Sequence, residues 1–281
     1  MITIRLKGGL GNQMFQYATA RALAYCNGVQ LILDVGEFDT YDLRDLEIDK
    51  YKIKAEVKNQ GYLLKKVIRK LKLDKFLNSY FFEKNLKYDN TINNLGVNLY
   101  LEGYFQSEKY FYNIREELLK EFTLKSKKSL YTKQMEGEIL NEKVAISLHV
   151  RRGDYISDES TASVHGGCDL EYYQRAMDFM GNKFEGIKYF IFSDDMTWVK
   201  DNFKKENITY VDSKEERAPH EDVCLMSLCD HHIIANSSFS WWGAWLNKNK
   251  SKVVVAPERW FRDKEMYEQS MDIVCENWVK V

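Results

Sequence analysis

The run AISLHVRRGDYI, Ala145 to Ile156, carries an alternating apolar stretch into a histidine, two adjacent arginines, a glycine and an aspartate. Groups of this kind, gathered where a buried strand stops, need a partner, because desolvating them unpaired is costly. A guanidinium offers a rigid fork of donors that fits phosphate oxygens. Successive side chains of an extended chain alternate between two sides, so His149 and Arg151 share one side and Arg152 takes the other. Arg151 is thus the expected phosphate ligand, and Arg152 is expected to brace the loop, with Asp154 as its candidate partner. A competing reading pairs both arginines with surface carboxylates. Two more strand ends carry polar groups: Ser193, Asp194 and Asp195 close YFIFS, and Asn236, Ser237 and Ser238 lead into FSWWGAWL. A Ser-Ser turn that opens a helix aims backbone amides and the positive helix end at an anion. A diphosphate fits both features, while Asp194 or Asp195 suits the donor edge of a purine such as guanine, or ribose hydroxyls.

These residues have to be carried by strands whose carboxyl ends lie together. VAISLHV, YFIFS, ITYVD, HHIIANS and KVVVAP read as strands, and LEYYQRAMDFM, MTWVKDNF, EDVCLMSLC and FSWWGAWLNK between them have helical spacing. At the other end of the chain, ITIRL, the loop GGLGNQ, the helix MFQYATARALAYCN and the strand VQLILD form one strand, helix, strand unit. The middle, roughly Thr40 to Asn141, offers basic and aromatic helical segments that are harder to read. Such alternation predicts an α/β fold with parallel sheets covered on both faces. At 281 residues the chain has room for two domains, expected at 1–140 and 141–281, both doubly wound, Rossmann-like and facing across a cleft. Ligands of such sheets bind beyond the carboxyl ends of the strands.

Composition excludes other classes. Forty-one basic against forty-two acidic side chains give no broad field for nucleic acid, so an anion site must be local. The N-terminus lacks the features of a secretory signal, and no apolar run reaches spanning length, which predicts a cytoplasmic protein. The tripeptide Arg152-Gly153-Asp154, an adhesion signal in secreted proteins, is therefore read as a decoy. Five scattered cysteines do not make a disulfide framework. Cys224, Cys229, His231 and His232 raise the question of zinc, but a helix and opposite faces of a strand would separate them, so no metal site is expected. Gly9-x-Gly11 between a strand and a helix, with Asp34 ending the next strand, imitates a dinucleotide unit, and an NAD(P)-dependent oxidoreductase is the alternative function. Met14 stands where that motif needs its third glycine. Asn12 and Gln13 put two amides at the loop tip instead. Residues 61–77, GYLLKKVIRKLKLDKFL, combine an apolar stripe with crowded lysines and arginine, suited either to a solvated helix face or to an anionic membrane surface. Trp241, Trp242 and Trp245 are expected in the core, and Tyr104, Phe105 and Tyr155 are aromatic candidates for meeting a sugar.

GGLGNQMFQYATARALA, HVRRGDY, FSDD and ANSSFSWWGAWL, in this order, resemble the bacterial alpha-1,2-fucosyltransferases of glycosyltransferase family 11, from Leu6 to about Pro257. The resemblance implies a GT-B enzyme that moves L-fucose from GDP-fucose to the 2-hydroxyl of a galactoside, with inversion, no metal and no cofactor. It makes 1–140 the acceptor side and 141–281 the donor side. Arg151 would hold the β-phosphate, His149 would lie near the nucleoside, and Asp195, beside Asp194, would resemble a guanine-binding aspartate. Ser237, Ser238 and Phe239 match the turn around the diphosphate, with Asn236 before it, and Gly9, Gly11, Asn12 and Gln13 match a loop that closes from the other domain. The expected partners are GDP-fucose and a galactose-containing oligosaccharide or lipid-linked glycan. Asp154 is the first candidate for the catalytic base, with Asp34, Glu37 and Asp39 behind it.

Overall fold

A computed structural model describes residues 1–39, 45–59, 80–152, 166–212 and 218–281. The chain divides into two compact units, Met1–Ser126 and Lys127–Val281. In the first, β1 (Ile2–Arg5) lies between β2 (Leu31–Asp34) and β5 (Leu99–Glu102), flanked by β3 (Glu56–Lys58) and β4 (Tyr80–Phe82), in the order β3-β2-β1-β5-β4. Each of these pairings is parallel. The sheet changes direction between β1 and β5, which makes their carboxyl ends the switch point of this unit.

Helix α1 (Leu10–Cys26) follows β1. It begins four residues earlier than the sequence suggests, so Gly11, Asn12 and Gln13 form its first turn and only Leu6 to Gly9 remain as loop. Gly8 supplies the backbone reversal at φ +75, and a Cβ there would come within 2.8 Å of Asn12 Nδ2. The helix is buried on most of its circumference, with Phe15, Tyr17 and Ala18 fully covered. One polar group holds it from the side. Glu121, at the end of α2 (Arg115–Glu121), accepts from Tyr17 Oη at 2.5 Å and from Arg21 Nη2 at 2.9 Å. Its carboxylate is 1 % exposed, so removing Arg21 would leave a buried charge without its nearest cation.

The second unit begins with α3 (Leu130–Asn141), which packs against α6 (Pro219–Leu228). Glu221 of α6 accepts from Ser129 N at 2.7 Å and Thr132 Oγ1 at 2.8 Å and so holds the start of α3. The sheet runs through β6 (Val144–Val150), β7 (Ile187–Ser193), β8 (Ile208–Tyr210), β9 (His231–Ile233), β10 (Val254–Ala256) and β11 (Val279–Lys280). Its order is β11-β10-β9-β6-β7-β8, all parallel, which is the doubly wound arrangement with its switch point between β6 and β9. The strand candidates read from Val144 onward all lie here. Helices α4 (Leu170–Lys183), α5 (Met196–Asn202) and α7 (Ser238–Leu246) follow β6, β7 and β9, and α8 (Lys264–Gln269) follows β10.

Helix α7 is anchored by the tryptophans of its motif. Trp241 and Trp242 are fully buried and Trp245 nearly so. The Trp241 ring lies 5.4 Å from Trp278, and its Nε1 donates to Ile273 O at 2.7 Å. Gly243 lets α7 close on α6: a Cβ at that position would come within 2.7 Å of Met226 Cβ. Gly243→Ala should therefore push the two helices apart and lose about 1–3 kcal/mol. Urea unfolding of the variant checks this, and an unchanged midpoint would show that the contact has slack.

Candidate active site

Alternation along β6 sorts its residues into two faces. Ile146, Leu148 and Val150 join Tyr173, Ile191 and Val199. Ala145 lies opposite, with Phe190, Phe192 and Leu225. Val150 is in register with Ser193, and Leu148 with Ile233. The next residues, Arg151 and Arg152, therefore leave the strand level with Asp194 and Asp195, one on each face. Arg151 Nη1 stands 3.1 Å from Asp194 Oδ2, and Asp194 Oδ1 accepts from the Arg152 backbone at 2.9 Å. Arg152 Nε reaches Asp195 Oδ2 at 3.4 Å, with its guanidinium carbon 3.9 Å from the Trp198 ring centroid. Arg152 ties the strand end to Asp195 and Trp198. The partner expected for it, Asp154, lies outside the described residues, as do Gly153 and Tyr155.

Both arginines thus have carboxylate partners, as the competing reading had it. Magnitude decides what this means. The Arg151 and Asp194 side chains are 23 % and 26 % exposed, and a pair so open to water contributes at most about 1 kcal/mol. Asp194 can orient Arg151 without withholding it from an anion that offers stronger, charge-assisted bonds. Asp195 also caps α5, accepting from Trp198 N at 3.0 Å.

His149 precedes this pair on the Arg151 face. It is 4 % exposed, its Nδ1 has no partner among the described residues, and its ring centroid lies 5.6 Å from that of Phe239. Burial pushes the imidazole down to about 4, against the opposing pull of Asp194 and with Arg151 adding to the depression. Phe239 belongs to the first turn of α7, where Ser237 caps the helix by accepting from Phe239 N at 3.3 Å. That turn carries no acidic residue, so its positive end is not neutralised from within. Ser237, Ser238 and Phe239 are all half-buried.

Other expected residues are turned to construction. Asn236 is 4 % exposed, and its Nδ2 donates to Gly166 O at 2.7 Å and Trp260 O at 3.1 Å, pinning two loops beside the switch point. Gln13 donates to Gly8 O and Asp45 O and accepts from the backbones of Glu47 and Ile48, which fills the capacity of its amide. Gly9 is the extended N-cap of α1 and Gly11 is buried in its first turn. Asn12 accepts from Gln106 Nε2 at 2.7 Å, joining the first turn of α1 to the loop after β5. Asp34, the acidic residue of the dinucleotide reading, is 2 % exposed and accepts from Tyr100 Oη at 2.6 Å and Gly36 N at 3.2 Å. Glu37 pairs with Arg5 at 2.5 Å, and Asp39 accepts from Asn59. Phe105 is fully buried, whereas Tyr104 is half-exposed.

The cysteine and histidine cluster is dispersed in the same way. His231 accepts from Val253 N at 3.0 Å, and Cys229 is buried. Among the described residues no three His, Cys, Asp or Glu side chains are grouped to hold a metal ion. Buried Ser147, His232 and Asn247 mimic a nucleophilic triad, with Ser147 Oγ to His232 Nδ1 and Asn247 Nδ2 to His232 Nε2 both 2.7 Å. Asn247 Nδ2 also donates to Cys229 O, so it is the donor to Nε2 and the imidazole must donate to Ser147. A histidine with that tautomer cannot take the serine proton. Sequence reading misses Trp198, whose signal is its place three residues after the capping Asp195, and Glu83, which follows a three-residue strand with no visible period.

A pH response follows from His149. Between pH 6.5 and 4 the unfolded chain takes up a proton that folded His149 refuses, so this group's contribution to stability falls on acidification by up to roughly 3 kcal/mol. The stability difference between wild type and His149→Gln should shift in that direction across the window in urea titrations. A pH-independent difference would mean the ring ionises in place.

The model of the family described as "Glycosyl transferase family 11" matches residues 1–281. An alpha-1,2-colitosyltransferase of Escherichia coli is 34 % identical over 100 % of this chain and 99 % of its own. The galactoside 2-alpha-L-fucosyltransferase Sec1 of Mus musculus is 26 % identical over 88 % of this chain and 64 % of its own. Among solved structures, a variant of FUT1 from Arabidopsis thaliana in complex with GDP superposes at a TM-score of 0.52 with 11 % identity, over 98 % of this chain and 74 % of that one. At that identity the likeness speaks for the fold, the two Rossmann-like units of the GT-B type. With the family model matched from the first residue to the last, the chain belongs to glycosyl transferase family 11 and is a glycosyltransferase.

Proposed function

We propose that the enzyme transfers L-fucose from GDP-fucose to the 2-hydroxyl of a terminal galactose in a glycan, with inversion and without a metal ion. The observation that carries this reading is Arg151, a guanidinium oriented by Asp194 at the carboxyl end of β6, on the same face as neutral His149. The acceptor oxygen attacks the anomeric carbon in line as the bond to the β-phosphate breaks. Negative charge grows on that phosphate only as the bond lengthens, so Arg151 and the amides opening α7 stabilise the transition state more than the bound donor. They supply the positive charge that a metal would otherwise bring. His149 offers one directed hydrogen bond to the nucleotide without adding charge. Asp195, whose side chain is 36 % exposed, is the carboxylate within reach of a guanine edge.

In this reading the second unit binds the donor, and the first presents the acceptor and the Asn12 end of α1. No helix among the described residues is long and apolar enough to cross a membrane. We take the reaction to be cytoplasmic, with residues 61–77, which lie outside the described ones, as the segment able to meet a membrane that carries a lipid-linked glycan. The colitosyltransferase relative favours a second donor, GDP-colitose, whose sugar lacks the 3-hydroxyl of fucose but whose diphosphate is the same.

The test is a thermal-shift titration with GDP, GDP-fucose, GDP-colitose and NAD, each with and without EDTA. A ligand at 100 times its Kd stabilises the folded state by about 2.7 kcal/mol, so GDP and one of the two GDP-sugars should raise Tm, with EDTA making no difference. In transfer assays with that sugar, Arg151→Ala should keep its Tm and lose on the order of a hundredfold or more in kcat. A shift with NAD alone, or a GDP shift abolished by EDTA, would overturn this reading.

A further inference from the structure

The switch point of the first unit collects charged groups whose roles differ. Arg5, at the end of β1, holds Glu37 at 2.5 Å and Glu102 at 2.7 Å, and Asp34 accepts from Tyr100 and Gly36. Glu83, one residue past β4, is arranged otherwise. Among the described residues no salt bridge reaches it. Its two oxygens accept from consecutive backbone amides of the chain leaving β5, Oε2 from Tyr104 N at 2.6 Å and Oε1 from Phe105 N at 2.9 Å.

The segment that makes these bonds is forced into place. Phe105 holds φ +54, a left-handed conformation that a bulky residue adopts only when its surroundings over-determine it. Its buried ring is fixed by Phe81 at 6.2 Å and Tyr110 at 5.5 Å. A Cβ on Gly103 would come within 2.4 Å of Glu83 Cβ, so that position leaves room for the carboxylate only as glycine. Backbone strain, a required glycine and two aimed amides all serve one partly exposed carboxylate at a strand end where ligands of such sheets bind.

We propose that Glu83 is the catalytic base, the group that takes the proton of the attacking acceptor hydroxyl. The proposal rests on the transferase reading above and adds to it the group that activates the nucleophile. As the acceptor oxygen forms its bond to the anomeric carbon, its proton passes to a Glu83 oxygen. The bond from that carbon to the β-phosphate oxygen breaks, its electron pair leaving with GDP, and Glu83 later returns the proton to water.

Chemistry at the site suits the task. Burial raises the Glu83 carboxyl to about 7, against the lowering effect of the Tyr104 and Phe105 amides and of Lys7, which puts the group where a base works best near neutrality. Lys7 faces it from the end of β1, with Nζ 4.4 Å from the Tyr104 ring centroid. Burial lowers this lysine, Glu102, Glu37 and Glu83 oppose that, and Arg5 adds to it. Tyr110, which also faces Glu83 among the described residues, is raised by burial and stays neutral in this range.

The test compares wild type, Glu83→Gln and Asp154→Asn in transfer to lactose from whichever GDP-sugar raises Tm, with kcat followed from pH 5 to 9 beside the Tm shift produced by GDP. Wild-type kcat should rise with pH through a limb near 7. Glu83→Gln should lose about a hundredfold or more in kcat together with that limb, while its GDP shift stays intact. Glu83→Ala should regain rate in added formate, which a merely structural role would not allow. The proposal is overturned if Glu83→Gln keeps the limb, if Asp154→Asn alone removes it, or if formate rescues nothing. A wild type that neither shifts with GDP nor transfers sugar defeats the transferase reading itself, and the base assignment with it.

Discussion

The side chains of two adjacent arginines at the end of one strand point to opposite faces and so meet different partners. The site of the second unit depends on this constraint. Register with β7 brings two adjacent aspartates level with the arginines, so Arg151 meets Asp194 on one face and Arg152 meets Asp195 on the other. The faces then do different work. On one, the guanidinium of Arg152 lies over Trp198 and ties the strand end to the capped start of α5. On the other, Arg151 shares its face with His149, whose ring meets Phe239 in the first turn of α7. A single inserted residue would exchange the two arginines and put the brace where the ligand belongs.

Electrostatics of the Arg151 face follow from what is missing beside it as much as from what is present. Buried His149 stays neutral down to about pH 4, which avoids setting a second cation against Arg151 in a poorly solvated place. The first turn of α7 has no carboxylate, so the amides there keep their partial charge for an anion. Asp194 pairs with Arg151 and is solvated enough to be displaced. In the proposed reading these features suit a diphosphate.

How far the sequence could be read depended on strand length and burial. Strands β6 and β7 are seven residues each and largely buried, and their apolar runs, with the polar groups at their ends, are visible without a structure. Strands β3 and β4 are three residues each, and Glu56, Val57 and Lys58 are all exposed, so neither period nor hydrophobicity marks them. Glu83 is out of reach for that reason, while Asp34, which ends the legible strand β2, and Glu37 just beyond it are visible. GGLGNQ reads as a loop because helices seldom begin with glycine, glycine, asparagine and glutamine. Here Gly8 makes the turn, and the Gln13 amide bonds to four backbone groups in place of an ordinary cap.

A base and a leaving-group stabiliser make opposite electrostatic demands, and the two proposed residues, Glu83 and Arg151, belong to different units. A carboxylate next to Arg151 would be held ionised, which weakens its hold on a proton, and Asp154 follows two arginines in the sequence within three residues. A base has to compete for the proton of a hydroxyl, so it gains from a site where burial, and not an adjacent cation, sets its affinity. Glu83 has that environment: its bonds are to uncharged amides, and among the described residues Lys7, whose own affinity for a proton burial lowers, is the cation that acts on it. In the proposed mechanism the strand end of the second unit suits arriving negative charge and that of the first suits a departing proton, demands that a single strand end crowded with arginines could not meet together.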